Sequence, residues 1–172
     1  MKEEKIATRQ SFGEALEKLR ETNKNVVVLD ADLAKSTKTS LFAKKFPDRF
    51  IDVGISEQNM IGIAAGLSTF GKVPYVSTFA AFATGRAYDQ IRCSIAYPKL
   101  NVKICGTHAG ITVGEDGATH QMLEDINLMR GLPNMTVIST SDDIQTKWAV
   151  EAISKIEGPV YLLSLIHISE PT

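Results

Sequence analysis

Several features that mark common classes of protein are missing from this chain. Its 172 residues contain only two cysteines, Cys93 and Cys105, and their spacing fits no metal-ligand set. This argues against a disulfide framework and a zinc site, and we expect both to be reduced core thiols of a cytosolic protein. No apolar run approaches the roughly 18 residues of a membrane-spanning helix. The charged start, residues 1–5, does not resemble a signal peptide.

Charge of either sign is not in excess. The formal net charge is −1, and the lysines and arginines are scattered, which argues against a nucleic-acid or anionic-membrane partner. Both common phosphate-binding loops are absent, since no Gly-x-Gly-x-x-Gly follows the first apolar run and no Gly-x-x-x-x-Gly-Lys-Ser/Thr occurs. With 44% hydrophobic and 23% charged residues, the composition is that of an ordinary globular protein, and the length suits one domain.

A regular alternation of apolar runs and helical patterns is present. Runs such as residues 26–29 are apolar at consecutive positions, which is typical of strands buried on both faces. The segments between the runs place apolar residues at helical spacing, and Thr8 is predicted to cap the first helix. Later helices are predicted over about residues 84–97 and 121–130. The alternation therefore predicts an α/β fold, a three-layer, doubly wound, mostly parallel sheet of about six strands. The predicted strands are residues 26–29, 50–53, 73–76, 100–105, 135–138 and 160–163.

Side chains that can take part in catalysis or binding follow the ends of these predicted strands. Asp32 follows the first strand, Glu57 the second, Phe79 the third and His108 the fourth. The carboxyl ends of parallel strands share one edge of the sheet, and open sheets of this class bind ligands along that edge. We therefore expect these residues to converge on one site.

Residues 106–126 are the most unusual stretch. It is rich in glycine and holds two of the three histidines, His108 and His120, with Glu115 and Asp116 between them. Glycine lets a backbone approach a ligand closely, so this pattern favours a loop that wraps a small polar molecule. A flexible surface turn that happens to carry histidines is the competing interpretation.

Two short motifs in this framework are specific. Residues 54–60 are Gly-Ile-Ser-Glu-Gln-Asn-Met, and residues 114–121 are Gly-Glu-Asp-Gly-Ala-Thr-His-Gln. In this order the chain resembles the pyrimidine-binding domain of transketolase, a thiamine-diphosphate enzyme, and in particular the C-terminal subunit of the split bacterial form. The resemblance covers about residues 8–165. It implies a cytoplasmic, heteromeric transferase of the pentose phosphate pathway.

The resemblance implies cofactor contacts for four residues. Glu57 matches the glutamate that hydrogen-bonds N1′ of the cofactor's aminopyrimidine and so assists activation of the thiazolium. Phe79 and Phe82 match the aromatic shelf under that ring, and Asp32 matches an acid at the cofactor's edge. The ordinary alternative for Glu57 is an acid in the first turn of a helix. For Phe79 and Phe82 it is a place in the hydrophobic core, and for Asp32 a place in a turn. The family often has another aromatic where this chain has Gly85, so stacking there is expected to be reduced or replaced.

The resemblance also implies a substrate channel. His108, Asp116 and His120 match residues that contact the sugar hydroxyls, and the two histidines are catalytic candidates because they orient groups or shuttle protons. Arg9 and Ser36 align with groups that hold the phosphate of a sugar phosphate. For Arg9, a solvated charge at a helix start is an equal alternative, because exposed arginines are common.

We expect no metal site in this chain. The family holds the cofactor's diphosphate through Mg²⁺, with a Gly-Asp-Gly motif followed by an asparagine pair. Residues 114–117 mimic the start of that motif, but residues 142–147 contain no asparagine pair. Mg²⁺ and the diphosphate are therefore expected on a separate N-terminal subunit, and this polypeptide alone is expected to be inactive.

The expected reaction is transfer of a two-carbon ketol unit from a ketose phosphate to an aldose phosphate. The alternatives are 1-deoxyxylulose-5-phosphate synthase and the β subunits of 2-oxo-acid dehydrogenases, which share this domain, or a non-catalytic assembly subunit. The spacing of His108 and His120 favours transketolase. Residues 1–165 are predicted to form the domain. Residues 166–172, with His167, resemble a translated sequencing adapter and are predicted to be a non-native tail on a truncated chain.

Overall fold

A computed structural model describes residues 6–165 and places six strands in one sheet. The strand order is β2-β1-β3-β4-β6-β5, and every neighbouring pair is parallel. This confirms the predicted doubly wound α/β fold. The elements are α1 (Thr8–Thr22), β1 (Val26–Asp30), α2 (Ala34–Thr37), α3 (Ser40–Lys45), β2 (Phe50–Asp52), α4 (Glu57–Thr69), β3 (Val73–Phe79), a first π-helix (Ala81–Arg86), α5 (Tyr88–Gln90), a second π-helix (Ile91–Ala96), β4 (Lys103–Ala109), α6 (Asp125–Arg130), β5 (Thr136–Thr140), α7 (Asp143–Ile153) and β6 (Val160–Leu165).

The consecutive apolar residues of the strands supply two hydrophobic cores. In β1 all five residues are buried, because side chains alternate between the two faces and both faces are covered. Val26 and Val28 belong to one core, in which α1 and α7 pack on the sheet. Val27 and Leu29 belong to the other core, which contains residues of α4, α6 and the second π-helix. The sheet is therefore the middle of three layers.

The chain path creates a crevice at the carboxyl edge of the sheet. From β1 the chain moves to β2 on one side, and it then returns to place β3 on the other side of β1. Ligands of open α/β sheets bind at such switch points. Glu57 begins α4 after β2, Phe79 ends β3, and β4 ends at Ala109. The predicted site residues thus follow strands that are neighbours in the sheet.

Strands β3 and β4 extend three and four residues beyond their predicted ends. Strands β3 and β4 remain paired through Phe79 and Thr107, because small polar residues continue the backbone ladder beyond the apolar runs. His108 therefore lies within the last residues of β4 and not in a loop beyond it. Gly106 and Ala109, which belong to the stretch predicted as a glycine-rich loop, are strand residues.

Several local predictions were wrong. The helix predicted for residues 84–97 is divided between two π-helices and α5, and α6 begins at Asp125 and not near residue 121. The residue that caps α1 is Ala7, and Thr8 is its first helical residue. Cys105 is buried as expected, but Cys93 is exposed. The predicted tail and His167 lie outside the described residues.

Within residues 6–165, no helix combines the length and the apolarity needed to cross a membrane.

Candidate functional site

Four aromatic rings meet at the carboxyl edge of β3 and β4. The rings of Phe79 and Phe82 are stacked, with centroids 5.9 Å apart and planes 18° apart. His108 stacks on Phe79 at 4.1 Å. His120 presents its edge to Phe82 at 5.0 Å and to Phe79 at 6.2 Å. These four residues, called the ring cluster below, were all predicted as site residues, and the fold brings them into contact.

His108 is turned toward the ring cluster by a break in the strand. The register between β4 and β6 shifts between Thr107 and Ala109, and His108 has a φ of 57°. A positive φ is uncommon for a residue other than glycine, although histidine is among those that tolerate it. A bulge of this kind re-aims a side chain. Here it accompanies the packing of the imidazole against Phe79.

The hydrogen bonds of His108 define which nitrogen carries its proton. The guanidinium Nη1 of Arg9 lies 3.3 Å from Nε2 of His108. Since a guanidinium only donates, Nε2 is the acceptor. The proton therefore lies on Nδ1, which is 2.9 Å from the hydroxyl of Thr107 and donates to it.

The environment of His108 also keeps the imidazole neutral. The side chain is buried, and burial, assisted by the charge of Arg9, lowers its pKa to about 4, while Asp116 acts in the opposite direction. At neutral pH the ring is therefore uncharged. It can accept or donate a hydrogen bond, but it carries no positive charge to a ligand.

Glu57 is the buried acid of the site. It is the first residue of α4, and 2% of its surface is exposed. The guanidinium Nη1 of Arg86 donates to its Oε2 at 2.8 Å. A buried carboxylate needs such a partner, because an unpaired charge away from water is costly.

Arg86 connects Glu57 to the ring cluster and was not identified from the sequence. Its guanidinium carbon lies 4.2 Å from the centroid of the Phe82 ring, a cation–π contact. Both residues lie in the first π-helix, where the Ala87 N–H donates to the Phe82 carbonyl five residues earlier. A π-helix is rare and frequently marks a functional site. Glu57 thus reaches the rings through one intervening side chain.

The glycine-rich segment after β4 is folded back on itself. Gly110 and Met122 form an antiparallel bridge that joins its two ends. Residues Gly114–Thr119 form 3₁₀ turns, with a kink at Gly117, whose φ of 66° suits glycine. This arrangement brings His120 to the ring cluster, while Asp116 is exposed. The segment is thus a folded turn that carries His120 to the rings, and its predicted role in wrapping a small polar molecule remains a prediction.

Asp32 lies in the loop between β1 and α2, and Ser36 lies in α2. Asp32 is exposed, has a φ of 63°, and its N–H donates to Asp52. The N–H of Ser36 donates to the Leu33 carbonyl. Within the described part of the chain, their hydrogen bonds stay in this region and do not reach the ring cluster. Their predicted contacts with cofactor and phosphate remain predictions.

The comparison with known proteins identifies the family. A family model described as transketolase, pyrimidine binding domain, matches residues 4–164. The chain belongs to this family. The domain is 57% identical over 154 residues to a transketolase C-terminal section from Methanocaldococcus jannaschii, and it is 44% identical over 160 residues to human transketolase. A solved structure described as "Split gene transketolase, inactive beta4 tetramer" is 56% identical, with a TM-score of 0.86.

The matches cover most of this chain but only part of each relative. The alignments span 90% of the chain and 49% of the archaeal protein, and 92% of the chain and 25% of the human enzyme. For the solved structure the corresponding shares are 98% and 54%. The chain thus corresponds to about half of the split proteins and a quarter of the human enzyme.

The family implies thiamine diphosphate, and the described residues fit one end of it. A buried carboxylate at Glu57, linked through Arg86 to the ring of Phe82, suits an aminopyrimidine, which needs a hydrogen-bond partner at its edge and an aromatic surface on its face. Among residues 6–165, no group of three or more His, Cys, Asp or Glu side chains is arranged to hold a metal ion. The contacts of these residues with the ring end of the cofactor remain predictions.

Proposed function

We propose that this domain is the pyrimidine-binding half of a transketolase that transfers a two-carbon ketol unit from a ketose phosphate to an aldose phosphate. The observation that carries the proposal is the placement of Glu57, a buried acid linked through Arg86 to the ring cluster. Membership of the family and the similarity to proteins named as transketolases support the reaction class.

Glu57 would hold a proton at N1′ of the aminopyrimidine, while Phe79 and Phe82 support the face of the ring. When bound, thiamine diphosphate supplies the carbon nucleophile and the electron sink for carbon–carbon cleavage. The residues of this chain position the ring and exclude water around it, which strengthens the hydrogen bond of Glu57. Asp32 is proposed to contact the edge of the cofactor.

His108 and His120 are proposed to face the sugar. With its pKa lowered to about 4, His108 would contact a sugar hydroxyl as a neutral imidazole. His120 lies against the same phenylalanines, and this contact supports a role in exchanging a proton with the substrate. Asp116 is proposed to contact a hydroxyl, and Arg9 and Ser36 the phosphate of the substrate.

The diphosphate end requires a second polypeptide in this proposal. We infer that an N-terminal transketolase subunit binds Mg²⁺ and the diphosphate, and that the two subunits form a hetero-oligomer. Support comes from the relative named as a C-terminal section and from the related split-gene protein described as an inactive tetramer. A cytoplasmic location is part of the same proposal.

Reconstitution tests this function directly. The chain alone, given thiamine diphosphate, Mg²⁺, xylulose 5-phosphate and ribose 5-phosphate, is expected to show no turnover. Addition of the N-terminal subunit is expected to produce turnover. Glu57→Gln is expected to lower kcat by roughly 10²-fold or more, since a placed proton contributes about 10²–10⁴-fold.

Three outcomes would contradict the proposal. Turnover by the chain alone would remove the need for a partner. Release of CO₂ from pyruvate by the pair, without ketol transfer, would indicate a decarboxylating relative. Full activity of the pair with Glu57→Gln would indicate a non-catalytic subunit, because an assembly role tolerates this near-isosteric change.

A further inference from the structure

The guanidinium of Arg86 contacts two different partners at once. Nη1 of Arg86 is 2.8 Å from Oε2 of Glu57, and the guanidinium carbon of the same residue lies 4.2 Å from the centroid of the Phe82 ring. The planar group therefore has a carboxylate beside it and an aromatic ring beneath it.

An aminopyrimidine would require the same two partners. It is a flat, delocalised ring whose ring nitrogens and amino group form hydrogen bonds in its plane, and whose faces stack on aromatic rings. A guanidinium is also flat and delocalised, donates in its plane and stacks on aromatic faces. Glu57 and Phe82 are thus held by a side chain that resembles the ring in the properties that matter for recognition.

The exposure of the two ion-pair partners indicates which one solvent reaches first. The side chain of Glu57 is 2% exposed, whereas that of Arg86 is 46% exposed. A ring that enters from solvent meets the guanidinium before the carboxylate. Opening the pair leaves the buried carboxylate without a partner, which is costly unless a hydrogen bond from the entering ring replaces that of the guanidinium.

The surroundings of Arg86 leave space for its side chain to move. Close to half of that side chain, 46%, is exposed to solvent. The backbone is held separately, since the side-chain amide of Gln58 donates to the Arg86 carbonyl at 3.1 Å. The side chain can therefore turn outward while the first π-helix stays in place.

We infer that Arg86 acts as a gate, which fills the pyrimidine subsite of the free chain and leaves when the cofactor ring binds. This inference rests on the proposed role of Glu57 and Phe82 in ring binding. In this state the chain keeps its catalytic acid paired and shielded, and ring binding must displace the guanidinium.

The test measures binding of 4-amino-2,5-dimethylpyrimidine to the full chain. This probe keeps the ring and amino group of the cofactor without its thiazolium or diphosphate, and near pH 8 it is neutral, so removal of a positive charge from the protein does not itself attract it. The Kd is obtained from the backbone amide shifts of Glu57, Phe79 and Phe82 during an NMR titration. This readout does not require activity.

Arg86→Ala is expected to lower the Kd by roughly fivefold or more, because the apparent affinity of a site rises as its competent fraction rises. Arg92→Ala is the matched control. Arg92 lies in the second π-helix, its side chain is 61% exposed, and its ion pair is with Asp89 at 3.9 Å. The control is expected to keep the wild-type Kd within about twofold, a difference well under one tenfold step in affinity. Circular dichroism confirms that each variant is folded.

The outcomes separate the gate from the proposed function. Equal affinity of wild type and Arg86→Ala would overturn the gate and leave the ring site standing. Weaker binding by Arg86→Ala would also overturn it, because Arg86 would then support the ring. Binding by none of the proteins would overturn the ring site itself and the gate with it.

Discussion

Asp30 and Glu57 are both acids buried at the carboxyl edge of the sheet, but they are held in different ways. Asp30, which is fully buried, accepts hydrogen bonds from the Leu33 N–H at 2.7 Å and from the hydroxyls of Thr37 and Thr39, each at 2.8 Å. All three donors lie within the next nine residues of the chain.

Glu57 has no such local set of partners. Among the described residues, its only side-chain partner is Arg86, which is 29 residues away and half exposed. Burial alone therefore does not distinguish a structural acid from one available to a ligand. The distinction lies in whether the partners are local and buried, as at Asp30, or mobile and open to solvent, as at Glu57.

Substitution of the two acids gives the largest expected contrast. Asp30→Asn is expected to lower the free energy of unfolding by about 3 kcal/mol, because an amide nitrogen replaces the buried oxygen that accepts from the two threonine hydroxyls. Glu57→Gln is the matched change at the other acid and is expected to cost less than about 1 kcal/mol, since an amide oxygen still accepts from Arg86. Urea unfolding measures both. Equal losses would mean that Glu57 is as structural as Asp30.

The pH dependence of stability tests the burial of His108 in the ring cluster next to Glu57's partner, Arg86. Burial lowers the pKa of His108 to about 4 from an ordinary 6.5. Between these values the unfolded chain binds a proton that the folded chain does not bind, so stability falls as the pH falls. The contribution of this group between pH 7 and pH 5 is about 2 kcal/mol.

His108→Asn provides the control for that measurement, because asparagine tolerates the positive φ of this position. Urea unfolding at several pH values is expected to show a shallower slope for the variant than for the wild type. The same slope in both proteins would mean that His108 is accessible to protons in the folded state.

Two glycines give the smallest expected contrast. A Cβ atom at Gly106 would overlap the Tyr161 hydroxyl, which donates to the buried carboxylate of Asp125 at 2.8 Å. Gly106→Ala is therefore expected to cost about 1.5 kcal/mol, a typical overpacking penalty. Gly85→Ala, beside Arg86 and in open space, is expected to change stability by less than about 0.5 kcal/mol. Thermal unfolding measures the stability of both variants. A larger loss of stability for Gly85→Ala than for Gly106→Ala would refute this assignment of close packing.

Much of the fold could be predicted because the signal was local. Six apolar runs identified all six strands, and their alternation with helical patterns predicted the parallel sheet. The ends of β3 and β4 were missed because Ser77 and Gly106 carry no apolar signal, although their backbones remain in the ladder. The π-helices were missed because their hydrogen bonds depend on the surrounding packing and not on a distinct residue pattern.

The candidate site was predicted in part, but through the resemblance to a family and not through a local signal. Recognition of two motifs identified Glu57 and the four ring-cluster residues, and the fold places them together. Arg86 was missed although it is four residues after Phe82, a spacing that allows side-chain contact on a helix. Its pairing with Glu57 joins residues distant in sequence, and such pairs cannot be read from one chain alone.

The central claim is that Glu57 meets the aminopyrimidine of thiamine diphosphate. A crystal structure of the reconstituted complex with the cofactor bound tests it most directly. The predicted result is a Glu57 carboxyl oxygen about 2.6–3.2 Å from N1′, with the ring against Phe79 and Phe82 and Arg86 turned outward. A bound cofactor whose ring lies elsewhere, with Glu57 still paired to Arg86, would contradict the claim.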